Sequence, residues 1–351
     1  MSGERIKVLV VEDSPVVQQL LTHVIDSDPR LRVVGVAADA AAAVSKIVAL
    51  KPDVVTMDIR LPRMNGFEAT RWIMRDHPLP IVVVASNVDD RSLNISMNAL
   101  RAGALSVVAK PGGTELSDYQ AVAAHLCTQL VIMSEVKVVR QHGRRAPATV
   151  ARLQMPQAPI SVVGLVASTG GPGALSRILG GLPAGFSVPV LVVQHMGAPF
   201  MGGFAHWLGS LSPLPVTVAA DGELARPGRV YVAPGDTHLT LVDGIMRLNN
   251  DPPVQGQRPS GDVLFGSMAQ SKGARGVGVL LTGMGEDGAR GLAALRQAGG
   301  YTIAEDRSTA VIWGMPGAAV ALDAALEVLP VDAIAPRLRQ LAQATATGGR
   351  P

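Results

Sequence analysis

The chain has 351 residues, 48% of them hydrophobic and only 3% aromatic, which is enough for about two domains of ~150 residues each with aliphatic cores. The net charge of +3, with no clustered basic helix, argues against a nucleic-acid partner. One cysteine, Cys127, excludes an internal disulfide or a cysteine zinc site, and no run approaches the ~18 apolar residues of a membrane span.

The N-terminal third alternates strand and helix patterns. Residues 6–11 read as a buried strand, 16–27 as an amphipathic helix, 33–37 as a strand and 40–50 as a helix. Strands follow at 54–57 and 81–85 with a helix at 67–76 between them, then a helix at 92–102, a strand at 105–109 and a helix at 119–131. Strands separated by helices imply a parallel, doubly wound α/β sheet with right-handed crossovers. Composition then turns basic and proline-rich over about 134–158, as in a linker, with the alternative that residues 130–139 extend the preceding helix. A second α/β region begins at Ile160. Its strands are expected at 188–193, 216–219, 229–233, 277–281 and 301–304, and its helices at 175–180, 200–211, 262–270 and 288–297. The Asp243-Gly244 pair at the centre of 238–249 signals a β-hairpin.

Four features of the first region fall at the carboxyl ends of predicted strands, where open parallel sheets bind ligands: Glu12-Asp13, Asp58, Ser86 and Lys110-Pro111. Three carboxylates converging there repel one another unless a cation sits among them, and hard oxygen ligands suit Mg²⁺. A lysine opposite neutralises added negative charge. This set favours phosphoryl transfer to a carboxylate. The segment resembles a response-regulator receiver domain, through the loop Asp58-Ile-Arg-Leu-Pro-Arg-Met-Asn-Gly66 and the turn Ala109-Lys110-Pro111. The resemblance implies that Asp58 is the phospho-acceptor. Glu12, Asp13, Asp58 and the main-chain carbonyl of Arg60 would hold Mg²⁺, and Lys110 would contact the phosphoryl group. In two places the chain departs from the family: Ala85 stands where a Thr or Ser is usual after the fourth strand, and Val107 where a switch aromatic is common. Ser86, one step on, is the candidate substitute for the hydroxyl.

In the second region the run from Ile160 to Ala167 ends in Ser168-Thr-Gly-Gly-Pro-Gly before a helical pattern. Such a strand–turn–helix aims backbone N–H groups at negative charge, which suits either a phosphate or the oxyanion formed when a serine attacks. It lacks the G-x-S-x-G pattern, because position 166 is Val. His195 ends the strand at 188–193 and is the candidate base, with His238 at the hairpin start as runner-up and His206 mid-helix as a packed or surface residue. Asp287 follows the strand at 277–281 in a Gly-Met-Gly turn; it reads as the acid orienting the base, or as an N-cap of the helix that follows.

The runs Ala167-Ser-Thr-Gly-Gly-Pro172, Gln194-His-Met, Tyr231-Val-Ala-Pro-Gly-Asp236, Arg258-Pro-Ser-Gly-Asp-Val-Leu-Phe265, Leu281-Thr-Gly-Met-Gly-Glu-Asp-Gly288 and Trp313-Gly-Met-Pro316 resemble the catalytic domain of the chemotaxis receptor methylesterases, the CheB family. The resemblance implies Ser168 as nucleophile, His195 as base, Asp287 as its orienting acid, Thr169 and Met284 at the oxyanion site, and Arg258 in the substrate groove or in a structural role. It also implies a receiver over 1–127, a linker over 128–158, a catalytic domain over 159–345 and a flexible tail over 346–351. The implied activity is phosphorylation-regulated removal of methyl groups from receptor glutamyl esters, with deamidation of glutamines as a second reaction. In that family the unphosphorylated receiver covers the active site. The partners would be methyl-accepting chemoreceptors and a sensor histidine kinase in the cytoplasm, without membrane insertion; ester hydrolysis needs no cofactor. The competing reading is a non-catalytic phospho-receiver adaptor that binds a signalling partner.

Overall fold

A computed structural model describes residues 5–85, 104, 106–111, 116–136 and 158–347. Ser86 and the helix expected at 92–102 lie outside the described residues. The chain divides into two compact units, Met1–Arg145 and Ala146–Pro351.

The first unit is a five-stranded parallel sheet of β1 (Ile6–Val11), β2 (Leu31–Ala37), β3 (Val54–Asp58), β4 (Ile81–Ala85) and β5 (Ser106–Ala109), in the order β2-β1-β3-β4-β5. The central strands are aliphatic on both faces and buried on both: Val8, Leu9, Val10, Ile81, Val82 and Val83 have no exposed surface. Helix starts follow local chemistry. Asp39 accepts from the Ala42 N–H, and Asn65 with Glu68 forms a capping box at the Gly66–Asp76 helix. The strand order reverses between β1 and β3, which opens a crevice at their carboxyl ends. The last helix of this unit, Leu116–Ser134, runs past the linker start expected at 128. The reason is packing: Leu126, Leu130 and Met133 recur at helical spacing and are fully buried.

The second unit is a seven-stranded sheet. Its strands are β6 (Val162–Ala167), β7 (Val190–Gln194), β8 (Val216–Val218), β9 (Val230–Val232), β12 (Gly276–Leu280), β13 (Tyr301–Glu305) and β14 (Glu327–Leu329), in the order β14-β13-β12-β6-β7-β9-β8. Every pairing is parallel. The hairpin of β10 (His238–Val242) and β11 (Ile245–Asn249) stands apart from this sheet, and both turn residues take positive φ, 51° at Asp243 and 86° at Gly244. The chain enters at β6 in the middle, winds to β8 on one side and returns at β12 on the other. The switch point therefore lies between β6 and β12.

Four elements went unassigned from sequence: β14, the helix Met315–Ala321, the helix Val331–Thr347 and the single 3-10 turn Gly273–Arg275. The first two are short. The third carries Pro336 inside it, yet Ile334, Leu338 and Leu341 are buried at helical spacing, and its end at Thr347 overlaps the tail expected from 346. Among the described residues no helix is long and apolar enough to cross a membrane.

Candidate active site and phospho-acceptor site

The pairing of β6 with β7 ends at Ala167 opposite Gln194. Ser168 and His195 are the next residue on each strand, and the His195 N–H donates to the Ala167 carbonyl at 3.0 Å. On the other side of β6 the Ser168 N–H donates to the Thr282 carbonyl at 3.0 Å. The nucleophile candidate is thus tied by its backbone to the turn that carries Asp287. Two glycines permit this closeness. A Cβ on Gly283 would collide with the Met315 sulfur and come within 2.8 Å of Ser168 Cβ. Gly170 turns the chain into the Gly171–Gly180 helix at φ 79°.

His195 Nε2–H donates to Asp287 Oδ2 at 2.9 Å, and both side chains are largely buried. This leaves Nδ1 as the ring nitrogen with a lone pair. Asp287 is not an N-cap of the Ala289–Gln297 helix, since Gly288 takes that position. Its carboxylate meets the start of another helix, Gly261–Lys272. Oδ1 accepts from the Ser260 hydroxyl at 2.6 Å and the Asp262 N–H at 3.2 Å, and Oδ2 accepts from the Gly261 N–H at 2.6 Å. Burial pushes the Asp287 carboxyl up, but the bonds from His195, Ser260 and Gly261 outweigh it and hold the group below the ordinary aspartate range. An ionised carboxylate is therefore built into the interior beside His195.

Thr169 is buried, whereas Met284 is 47% exposed on the Gly-Met-Gly turn. Among the described residues neither backbone N–H donates within the chain. Arg258 Nη1 donates to the Asn250 and Asp251 carbonyls at 3.1 and 3.3 Å, which ties its guanidinium to the segment after the hairpin. His238, the runner-up base, is fully buried and engaged at both nitrogens: the Ser260 N–H donates to Nδ1, and Nε2–H donates to the Pro252 carbonyl. That engagement removes it from proton exchange with Ser168.

Three supporting residues escaped the sequence reading. Gln194 Nε2 donates to the Ser168 and His195 carbonyls at 2.8 and 3.0 Å. Glu305 accepts from the Thr282 N–H and the Thr309 hydroxyl, with burial pushing its carboxyl up. Ser260 is the third. Each is a polar residue at the end of an apolar strand or the start of a helix, and that placement was the available signal.

In the first unit the Glu12, Asp13 and Asp58 oxygens lie within 4.8 Å of one another. Lys110 Nζ stands 2.7 Å from Glu12 and 3.1 Å from Asp58. Burial pushes both the Glu12 and Asp58 carboxyls up despite that lysine. The backbone N–H groups of Ile59 and Arg60 also support the Asp58 carboxylate. Three crowded carboxylates against one ammonium, all offering oxygen, fit a hard divalent cation. Ala85 ends β4 as a fully buried methyl group, paired with Ala109, so no hydroxyl stands at that position.

The two sites define a phospho-receiver joined to a doubly wound domain with a serine–histidine–aspartate cluster at its switch point. Residues 163–338 match the CheB methylesterase family, and residues 8–118 the response regulator receiver domain. A "Protein-glutamate methylesterase/protein-glutamine glutaminase 2" of Paramagnetospirillum magneticum is 52% identical over 97% of this chain and 98% of its own length. A "Protein-glutamate methylesterase/protein-glutamine glutaminase 4" of Geobacter metallireducens is 46% identical over 96% of this chain and 99% of its own. The Thermotoga maritima CheB methylesterase catalytic domain superposes with a TM-score of 0.51 at 38% identity, covering 52% of this chain and all of that one. The chain belongs to the CheB methylesterase family.

Proposed function

We propose that the chain is a phosphorylation-regulated protein-glutamate methylesterase that also deamidates receptor glutamines. The observation that carries the reading is the buried His195–Asp287 pair, 2.9 Å apart, one strand over from Ser168. Ser168 Oγ attacks the ester carbonyl carbon while His195 Nδ1 takes its proton. The N–H groups of Thr169 and Met284 hold the oxyanion. Collapse breaks the C–O bond, and His195 returns the proton to the leaving methoxide as methanol. Water, deprotonated by His195, then attacks the acyl-serine carbonyl; the bond to Ser168 Oγ breaks, His195 returns the proton to Ser168, and the glutamate is freed. With a glutamine side chain the leaving group is ammonia. Asp287 keeps the imidazole in one tautomer and balances its charge in the transition state.

In the receiver, Asp58 accepts a phosphoryl group from a sensor histidine kinase and Lys110 contacts the added oxygens. Glu12, Asp13, Asp58 and the Arg60 carbonyl would hold Mg²⁺, which supplies charge neutralisation for the incoming phosphoryl group. The substrates are methyl-accepting chemoreceptors, met in the cytoplasm. The test is methanol release from methylated receptor: the esterase reading expects turnover, and an adaptor that only binds would give none.

A further inference from the structure

We propose that Ser260 is a positioning residue for this hydrolysis: its hydroxyl, braced from behind by His238, fixes the Asp287 carboxylate in the orientation that holds His195. The inference rests on the catalytic reading above and goes beyond it to a residue outside the serine, histidine and aspartate.

Ser260 and His238 have no exposed surface. The Ser260 hydroxyl donates to Asp287 Oδ1 at 2.6 Å, while its oxygen accepts from the Val263 N–H at 3.4 Å as a helix cap. The donated bond is much the shorter of the two. A cap needs only an acceptor, which Asp would supply as well as Ser. Asp at this position would set a carboxylate against Asp287, whereas Ser supplies a proton to it. Behind Ser260, its own N–H donates to His238 Nδ1 at 3.2 Å, and His238 Nε2–H donates to the Pro252 carbonyl at 3.2 Å. Donation runs outward from Ser260 both ways, from its N–H to His238 and on from His238 to Pro252, and from its hydroxyl to Asp287, which His195 meets from the opposite side. Together with the Gly261 and Asp262 N–H groups, these bonds occupy both oxygens of Asp287 and oppose rotation of the carboxylate away from His195.

Removing the hydroxyl leaves the Asp287 charge less satisfied, so it binds the His195 proton more strongly. The other titratable groups around the pair stay in place. Asp262 accepts from the Gly291 N–H and the Gln255 amide, Glu286 pairs with Arg290 at the surface, and His238 keeps its bond to Pro252. A change in the pH profile then reports the hydroxyl.

The experiment measures methanol release by the full chain on methylated receptor across pH, for wild type, Ser260→Ala, Ser260→Gly and Ser260→Thr, with a thermal midpoint for each. Gly is nearly as good a cap as Ser, so Ser260→Gly removes the hydroxyl with little cost to the helix and serves where Ser260→Ala fails to fold. In Ala and Gly, kcat falls about tenfold with KM unchanged, and the acid limb of kcat/KM moves up by roughly half a unit to one unit. Ser260→Thr, which retains the donor, brings the limb back. A lowered thermal midpoint with an unmoved acid limb would make Ser260 a helix cap only and overturn the proposal. Loss of turnover in Ser168→Ala alongside that result leaves the serine mechanism standing; turnover retained in Ser168→Ala overturns the serine mechanism on which the proposal rests.

Discussion

Ser168 and His195 each stand one residue past the last paired positions of two adjacent parallel strands. Neighbouring strands lie about 4.8 Å apart, so the sheet itself brings Ser168 and His195 to adjacent places at its edge. Asp287 is set by a third strand and a helix start, and Gly283 allows that third strand's turn to pack on Ser168.

Gly283→Ala tests this packing. The added methyl collides with the Met315 sulfur and crowds Ser168 Cβ. Turnover is expected to fall about 100-fold, through displacement of a reacting group on the order of 1 Å, and stability by about 1–3 kcal/mol from overpacking. Steady-state methanol release and thermal unfolding check it; a variant with wild-type turnover would mean that the Ser168 turn does not depend on this contact.

Asp287→Asn keeps the shape but gives up the charge. It presents an amide to N–H donors and loses the partner of His195 Nε2–H. The expected fall in kcat is about 10³–10⁴-fold. The pH dependence of stability follows from the same group. Its folded pKa is depressed, so its contribution is complete above the unfolded value, near 3.8, and disappears as pH falls through the lower folded value. Acid unfolding should therefore be steeper below pH 3.8 in wild type than in Asp287→Asn. Parallel curves would contradict a stabilised carboxylate.

The acidic crevice of the receiver should respond to divalent cation. Adding Mg²⁺ is expected to raise the receiver's thermal midpoint by a few degrees, because a ligand bound only to the folded state stabilises it. Asp13→Ala, which removes an exposed ligand without touching the Lys110 contacts, should abolish the increase. An unchanged response in that variant would remove Asp13 from the ligand set.

Phosphorylation is expected to stimulate methanol release through Asp58, and Asp58→Ala should lose the response to a small phosphodonor. With a methyl group at Ala85 and Val107 in the last strand, the stimulation should be weaker than in receivers carrying a hydroxyl and an aromatic there. A receiver variant with Ala85→Thr gives the comparison; equal stimulation would show that this hydroxyl is dispensable here.

Much of this was legible in the sequence because the sheet edge does the assembling. Glu12, Asp58, Lys110, Ser168 and His195 each follow an aliphatic run that must be a strand, and parallel strands deliver their next residues to one edge. The Asp243-Gly244 turn was equally plain. The role of Ser260 was not: its bond to Asp287 crosses 27 positions and depends on where the Gly261–Lys272 helix docks. Glu305 was hidden likewise, since its partner Thr282 becomes a neighbour only once β12 and β13 pair. The burial of His238 was not legible either, because a histidine at a hairpin start reads the same whether its ring faces a crevice or the interior.

The most direct test of the central claim is methanol release from methylated receptor by wild type and Ser168→Ala at equal thermal stability. The serine mechanism predicts a fall of about 10⁴-fold or more in the variant, since the oxyanion donors and His195 remain but no acyl-enzyme can form. Turnover within a few-fold of wild type would contradict Ser168 as the nucleophile.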